Sequence, residues 1–348
     1  MRGWRKHFLT FLALLLATGL LASCARDAGV IFPGVADGPH WPEVGIERVR
    51  FVGALSNSAD LKPAVSPFDA VGGLLFGASP SSAIENPMAV CTDNGDRLFI
   101  ADTQAKAILV MDLNSRKFAR WTPGGQSFGT PVGLAYDASG RRLLVADSTN
   151  AAIYSFSSDG QFQGQLAPGV FHQPCGLAID PRNGRIFVVD VAAHQVVVLT
   201  PTGEVIRRIG SRGSELGQFN FPTYIALDSQ GRMYVADSLN FRIQEFGPDL
   251  EPICQIGSQG DTPGYFAEPK GLAVDGDDHL YVVDSQFEAV QIFDHTGQLL
   301  LDFGEQGRQP GQFWLPAGLF IDHSNRIWVA DSCNHRVQVF DYLPEATP

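Results

Sequence analysis

Pro131-Val132-Gly133-Leu134-Ala135-Tyr136-Asp137 is followed by Pro174-Cys175-Gly176-Leu177-Ala178-Ile179-Asp180 and by Pro269-Lys270-Gly271-Leu272-Ala273-Val274-Asp275. Looser copies of the phrase start at Pro87, Pro222 and Pro316, and the six prolines are spaced 44, 43, 48, 47 and 47 residues apart. Fifteen or sixteen residues after each proline an Asp closes a short apolar run: Asp102, Asp147, Asp190, Asp237, Asp284 and Asp331. A third run follows, such as Arg242-Ile243-Gln244-Glu245-Phe246, and a fourth ends near Ile209-Gly210, Ile256-Gly257 or Phe303-Gly304. Four short β-rich runs separated by Gly and Asp turns predict a four-stranded meander. One such sheet cannot bury both of its faces. Six packed radially bury one another, so the repeat predicts an all-β, six-bladed β-propeller of antiparallel four-stranded blades.

The ends of the array predict how the ring closes. The sixth repeat has no fourth run after it, while Ile46-Glu47-Arg48-Val49-Arg50-Phe51-Val52-Gly53 has the pattern of the fourth run Glu204 to Gly210. A strand over residues 46–53 is expected to complete the last blade and remove an open sheet edge. The expected layout is a signal segment over 1–23, a lipidated Cys and flexible tether over 24–44, and a single propeller over 45–348. Within it an insert spans 62–86 and blades start at 87, 131, 174, 222, 269 and 316.

The first residues read as an address. Met1 to His7 carries Arg2, Arg5 and Lys6 and no acid, and Phe8 to Leu21 is apolar or small. That apolar run is shorter than the roughly 20 residues of a spanning helix, so it reads as the core of a secretory signal. Leu21-Ala22-Ser23-Cys24 follows at once and resembles a bacterial lipobox. The resemblance implies that Cys24 is acylated and becomes the first mature residue, anchoring the chain to the cell envelope. Ala25 stands where Asp would signal retention at the inner membrane, which favours the outer membrane. An ordinary cleaved signal with Cys24 incidental is the alternative. A second acyl chain makes such anchoring stable, at about 0.8 kcal/mol per buried methylene. Cys91, Cys175, Cys254 and Cys333 lie in different repeats and are expected to be mostly free, buried thiols.

Composition narrows the function classes. Apolar residues make up 45% of the 348-residue chain and charged ones 18%, which excludes a disordered chain. The net charge is −12, and loss of the basic first 23 residues makes it more negative. Such a surface repels phosphate backbones, so nucleic acid is not an expected partner.

Two stretches carry a family resemblance. Asp237-Ser238-Leu239-Asn240-Phe241-Arg242-Ile243-Gln244 and Asp331-Ser332-Cys333-Asn334-His335-Arg336-Val337-Gln338 resemble the D-x-x-N-x-R-[IV]-Q phrase of NHL-repeat propellers. The second blade keeps Asn150 without the Arg, and blades one, three and five lose both. Some propellers with NHL-like blades are enzymes, which implies two tests. The amidating lyase for peptidyl-α-hydroxyglycine carries metal-binding His near the start of a blade. Here Met88, Val132, Cys175, Thr223, Lys270 and Ala317 follow the prolines. Lactonase-type propellers gather carboxylates and amides around a central metal. Glu85 and Asn86 are present without convergent partners in the inner strands. Neither H-E-x-x-H nor a phosphate loop occurs.

Comparison of the six copies separates fold from candidate site. Ile84, Phe128, Phe171, Phe219, Phe266 and Phe313 share a column three residues before the proline and are expected in the core. The Asp closing each second run is expected to hold loop backbone amides, as in an Asx-turn. Loops before the proline and after that Asp emerge on one face, the top. There the columns differ chemically, so the top is the candidate binding face. Tyr224 and Lys270 are expected near the axis, with Phe241, Trp314 and His335 on outer top loops. Together they suit a protein or peptide of the envelope, or alternatively a carbohydrate such as peptidoglycan. No cofactor is expected. One exception is weighed, a metal ion on His172, Cys175 and His194, whose donors suit zinc or copper. It would go with a metal-dependent lyase- or lactonase-like enzyme.

Overall fold

The computed structural model describes residues 30–32, 38–62, 82–93 and 95–343. The signal segment, Cys24 and most of the insert expected over 62–86 lie outside the described residues. Among the described residues the strands form six antiparallel sheets, each running from an inner strand at the axis to an outer one. The inner strands are Pro87–Thr92, Pro131–Asp137, Pro174–Ile179, Pro222–Leu227, Pro269–Val274 and Pro316–Ile321. This is the six-bladed propeller that the repeat predicts. Among the described residues no helix is long and apolar enough to cross a membrane.

The strand sequences follow from their place in a blade. Second and third strands are covered on both faces by neighbouring blades and read as near-continuous apolar runs. Met233–Asp237 and Leu280–Asp284 are buried throughout. Outer strands such as Pro252–Ile256 alternate between half-buried and exposed. The core is six apolar clusters, one between each pair of blades. Each contains one member of the column Ile84, Phe128, Phe171, Phe219, Phe266 and Phe313.

Ring closure is as expected, with a different register. Val49–Leu55 pairs antiparallel with Arg336–Tyr342 and makes the fourth strand of blade six. Leu55 stands opposite Val337, as Ile209 stands opposite Val196 in blade three, so the strand sits three residues later than the likeness of Gly53 to Gly210 suggests. Gly210 is a turn glycine with φ +92°, whereas Gly53 lies inside the strand, where a Cβ would come within 2.5 Å of the Phe32 ring. The two glycines serve different constraints, and that is why the alignment misled.

Part of the segment expected as a tether over 24–44 pairs with the propeller instead. His40–Trp41 adds a fifth strand beside Val49 and Arg50. The Trp41 ring lies 5.5 Å from Phe303 and 5.9 Å from Phe340, and Phe32 lies 6.2 Å from Trp328. Serine hydroxyls add links between blades. Ser148 and Ser238 donate to the first proline carbonyl of the next blade at 2.6 and 2.7 Å, and Ser285 does the same to Pro316. Ser332 donates to Pro87 at 2.6 Å and so joins blade six to blade one. Among the described residues the four cysteines are free thiols, Cys91 buried and Cys175, Cys254 and Cys333 half-buried.

Candidate functional site

The axis is blocked at the top. Gly133, Gly176, Gly271 and Gly318 sit where adjacent inner strands approach most closely. A Cβ on Gly133 would stand 1.9 Å from the Cys175 carbonyl oxygen, and one on Gly318 would stand 2.5 Å from that of Met88. Tyr224 is the large side chain in this column. It reaches across the ring from blade four, and its hydroxyl donates to the Met88 carbonyl of blade one at 2.6 Å. Burial pushes its phenol pKa well above the usual value. Tyr224 therefore plugs the axis at the top with its hydroxyl engaged. Below it a cavity of about 700 Å³ widens toward the opposite face, the bottom.

The top loops are organised by the buried Asp that ends each second strand. Asp102, Asp147, Asp190, Asp237, Asp284 and Asp331 have no exposed surface. In four blades this carboxylate accepts the amide of the residue just before the proline. The donors are Asn86, Thr130, Gln173 and Glu268, at 2.8–3.1 Å. Blades four and six carry the full phrase, and there one carboxylate oxygen is saturated. Asp237 Oδ2 accepts from Asn240, Arg242 and Gln244 at 2.8–3.0 Å. Asp331 Oδ2 accepts from Asn334, Arg336 and Gln338 at 2.7–2.9 Å. Oδ1 holds the Asn220 and Trp314 amides respectively.

The amide before the proline must then find another acceptor, and the preceding blade supplies it. The Phe221 N–H donates to His194 Nδ1 at 3.1 Å. The Leu315 N–H faces the Glu288 carboxylate, whose pKa burial raises against the lowering by Gln306 and Leu315 and whose Oε2 is buried with no hydrogen-bond partner. His194 and Glu288 share the column four residues after the Asp, and that whole column is left-handed: Lys106, Ala151, His194, Phe241, Glu288 and His335 have φ of 49–56°. Turning toward these acceptors puts Phe221 and Leu315 themselves into left-handed backbone, at φ 50° and 48°. Both side chains are left exposed, at 39% and 37%. Leu216, Leu239, Tyr265 and Trp314 are exposed on the same top loops of blades four to six.

The residues expected from sequence fall into different roles. Lys270 is half-buried and pairs with Glu268 at 3.2 Å. Phe241 is half-buried and caps the short helical turn Ser238–Asn240. His335 hydrogen-bonds through Nδ1 to the Glu85 carbonyl, a second link between blades six and one. Trp314 is exposed as expected, with the Arg308 guanidinium 4.7 Å from its ring centre.

The candidate metal ligands His172, Cys175 and His194 do not come within ligating reach of one another. His172 lies outside against Asp190, His194 is buried with Nδ1 spent on Phe221, and burial pushes the Cys175 thiol up to about 12. Among the described residues one other trio has its ligand atoms close enough for a metal, Asp275, Asp277 and His279 in the bottom turn of blade five. There His279 Nδ1 and the Tyr281 hydroxyl each lie 3.0 Å from Asp275 Oδ2, so the buried acid already has partners within the turn. The exposed pair Phe221 and Leu315 was missed. Its signal was legible: the residue before the proline is polar in four copies and apolar in these two.

The architecture thus defines a six-bladed β-propeller scaffold with an apolar top surface and an axial cavity. The family model described as NHL repeat matches the sixth blade, over residues 313–340. Solved structures share the fold at low identity. Virginiamycin B lyase from Staphylococcus aureus is 15% identical with TM-score 0.56, covering 75% of this chain and 96% of that one. A gluconolactonase from Xanthomonas campestris is 18% identical with TM-score 0.57, covering 75% and 88%. An auxiliary nutrient binding protein from Bacteroides ovatus is 16% identical with TM-score 0.61, covering 77% and 71%. These likenesses span enzymes and binding proteins and speak for the fold alone.

Proposed function

We propose that the protein is a non-enzymatic binding propeller, held in the bacterial envelope by lipid on Cys24, with the outer membrane favoured. Its top face over blades four to six engages a protein or peptide. The observation that carries this reading is the pair Phe221 and Leu315, exposed apolar side chains on left-handed backbone, on a face that also exposes Leu239, Tyr265 and Trp314. Strained backbone that displays exposed apolar groups points to use, because neither strain nor exposure stabilises the fold. Interfaces concentrate their energy in such aromatic and aliphatic anchors. The Trp314 face already carries Arg308, which favours a peptide over a sugar ring that would need that face bare.

Photo-crosslinkable residues placed at Leu239 and Trp314 in cells should give one discrete adduct. The same probe at Ser139 on the bottom face should not. Identical patterns at both faces, or no adduct at the top, overturn the binding reading. Cys24→Ala should leave an unprocessed precursor that takes up no fatty-acid analogue, and unchanged labelling overturns the anchor.

A further inference from the structure

The axial cavity has a chemistry of its own, distinct from the top surface. Its closed upper end is the Tyr224 ring, whose hydroxyl is engaged by Met88. Its upper wall is formed by the column Val90, Leu134, Leu177, Ile225, Leu272 and Leu319. Nearer the mouth come Tyr136, Ile179, Leu227, Val274 and Ile321, all half-buried.

No lysine or arginine is among the described residues that line it. Five aspartates close its lower strands, yet each is held by its own turn. Asp137 accepts Arg142, Asp180 accepts Arg182 and Asp228 accepts the Arg232 amide, while Asp275 meets His279 and Asp322 accepts the Trp328 indole N–H. An anion entering here would lose its hydration without meeting an opposite charge, which is costly, and a cation would find each aspartate already accepting bonds from its own turn. The other polar side chains of the lining include Thr92, Ser139, Ser229, His323 and Asn325, at or beyond the lower ends of the inner strands, toward the mouth.

We infer that this dead-end cavity binds one neutral, mainly apolar small molecule with a hydrogen-bonding end, which enters from the bottom face. The volume, about 700 Å³, lies within the roughly 300–1,000 Å³ of small-molecule pockets, and apolar walls with a few polar groups are their usual lining. The apolar body lies against the two aliphatic columns and the Tyr224 ring, and the polar end stays at the mouth.

The test is a fluorescence titration of the purified protein with N-phenyl-1-naphthylamine, a neutral apolar dye with one N–H, against a matching buffer blank. Saturable enhancement at one equivalent is expected. Leu227→Arg and Val274→Arg, which bring charge into the lumen from adjacent blades, should each weaken binding at least tenfold. Ile206→Arg, on an exposed outer strand, should leave it unchanged. Enhancement no greater than the blank overturns the inference, as does native-like affinity in both lumen variants. Should both of those melt early, Ser139→Trp combined with His323→Trp at the exposed rim decides the matter. Uptake slowed at least tenfold supports entry at this mouth, and an unchanged rate overturns it.

Discussion

Replacing Leu315 by Ala and, separately, by Gly isolates the backbone at the top face. Both changes remove nearly the same side-chain contacts, so their difference reports conformation. At an ordinary position Gly is less stable than Ala by about 0.5–1 kcal/mol, because it loses more freedom on folding. At φ 48° the sign should invert. A left-handed L-residue carries about 1–2 kcal/mol of steric cost that Gly does not. Subtracting the entropic loss leaves Leu315→Gly more stable than Leu315→Ala by about 0.5–1 kcal/mol. For a domain of this size that is a rise in melting temperature of roughly 1–4 °C by scanning calorimetry. Both variants should lose at least tenfold in crosslinked adduct at Trp314, since both delete the anchor. A Leu315→Ala variant that melts at or above Leu315→Gly refutes the left-handed backbone and the reasoning from Glu288. Retained adduct in both variants refutes the use of Leu315 as an anchor while leaving the backbone argument intact.

Two further outcomes follow from the same contacts. His194→Leu leaves the Phe221 amide without its acceptor and should cost about 1–3 kcal/mol in urea unfolding, whereas His172→Ala at an exposed site should cost less than about 0.5 kcal/mol; equal effects would contradict a stabilising bond from Phe221 to His194. Burial would raise the Asp180 carboxyl, but the hydrogen bonds and charge of Arg182, with help from Asn183, lower it from 3.8 to about 2. A carboxyl depressed in the folded state adds stability above its unfolded pKa and loses it as pH falls toward the folded one. The protein should therefore lose roughly 1–2 kcal/mol between about pH 4 and pH 2, allowing for the half-exposed Arg182, and Asp180→Asn should flatten that part of the profile.

The fold was legible because a propeller repeats its constraints. Each of the six phrases has to place a proline at the start of an inner strand, a small residue where strands converge, and an Asp under the loops. One chain therefore prints the same solution six times. Its closure was legible as a missing strand and a spare one. Its register was not, because Gly53 is a glycine for close approach to Phe32, and sequence does not distinguish that from the turn role of Gly210.

The site was less legible because the informative differences are coupled across blades. Read one column at a time, His194 looks like a metal ligand, Glu288 like a surface acid and Phe221 like an ordinary loop residue. Read together they form one unit, repeated at two of the six joints. Arg242 and Arg336 stand in the blades where Asp237 and Asp331 have an oxygen saturated, and the blade before each carries an acceptor four residues after its own Asp. Blades one, two and four have Lys106, Ala151 and Phe241 there, with no such acceptor. The blades that follow them keep Thr130, Gln173 and Glu268 on their own aspartates. His335 in blade six turns its ring to the Glu85 carbonyl instead, and Asn86 stays on Asp102. The residue before the proline thus turns outward only where the complete motif displaces it. The top face of blades four to six is apolar at Phe221 and Leu315 because a motif read as purely structural has spent the acceptor that would otherwise have drawn those backbones inward.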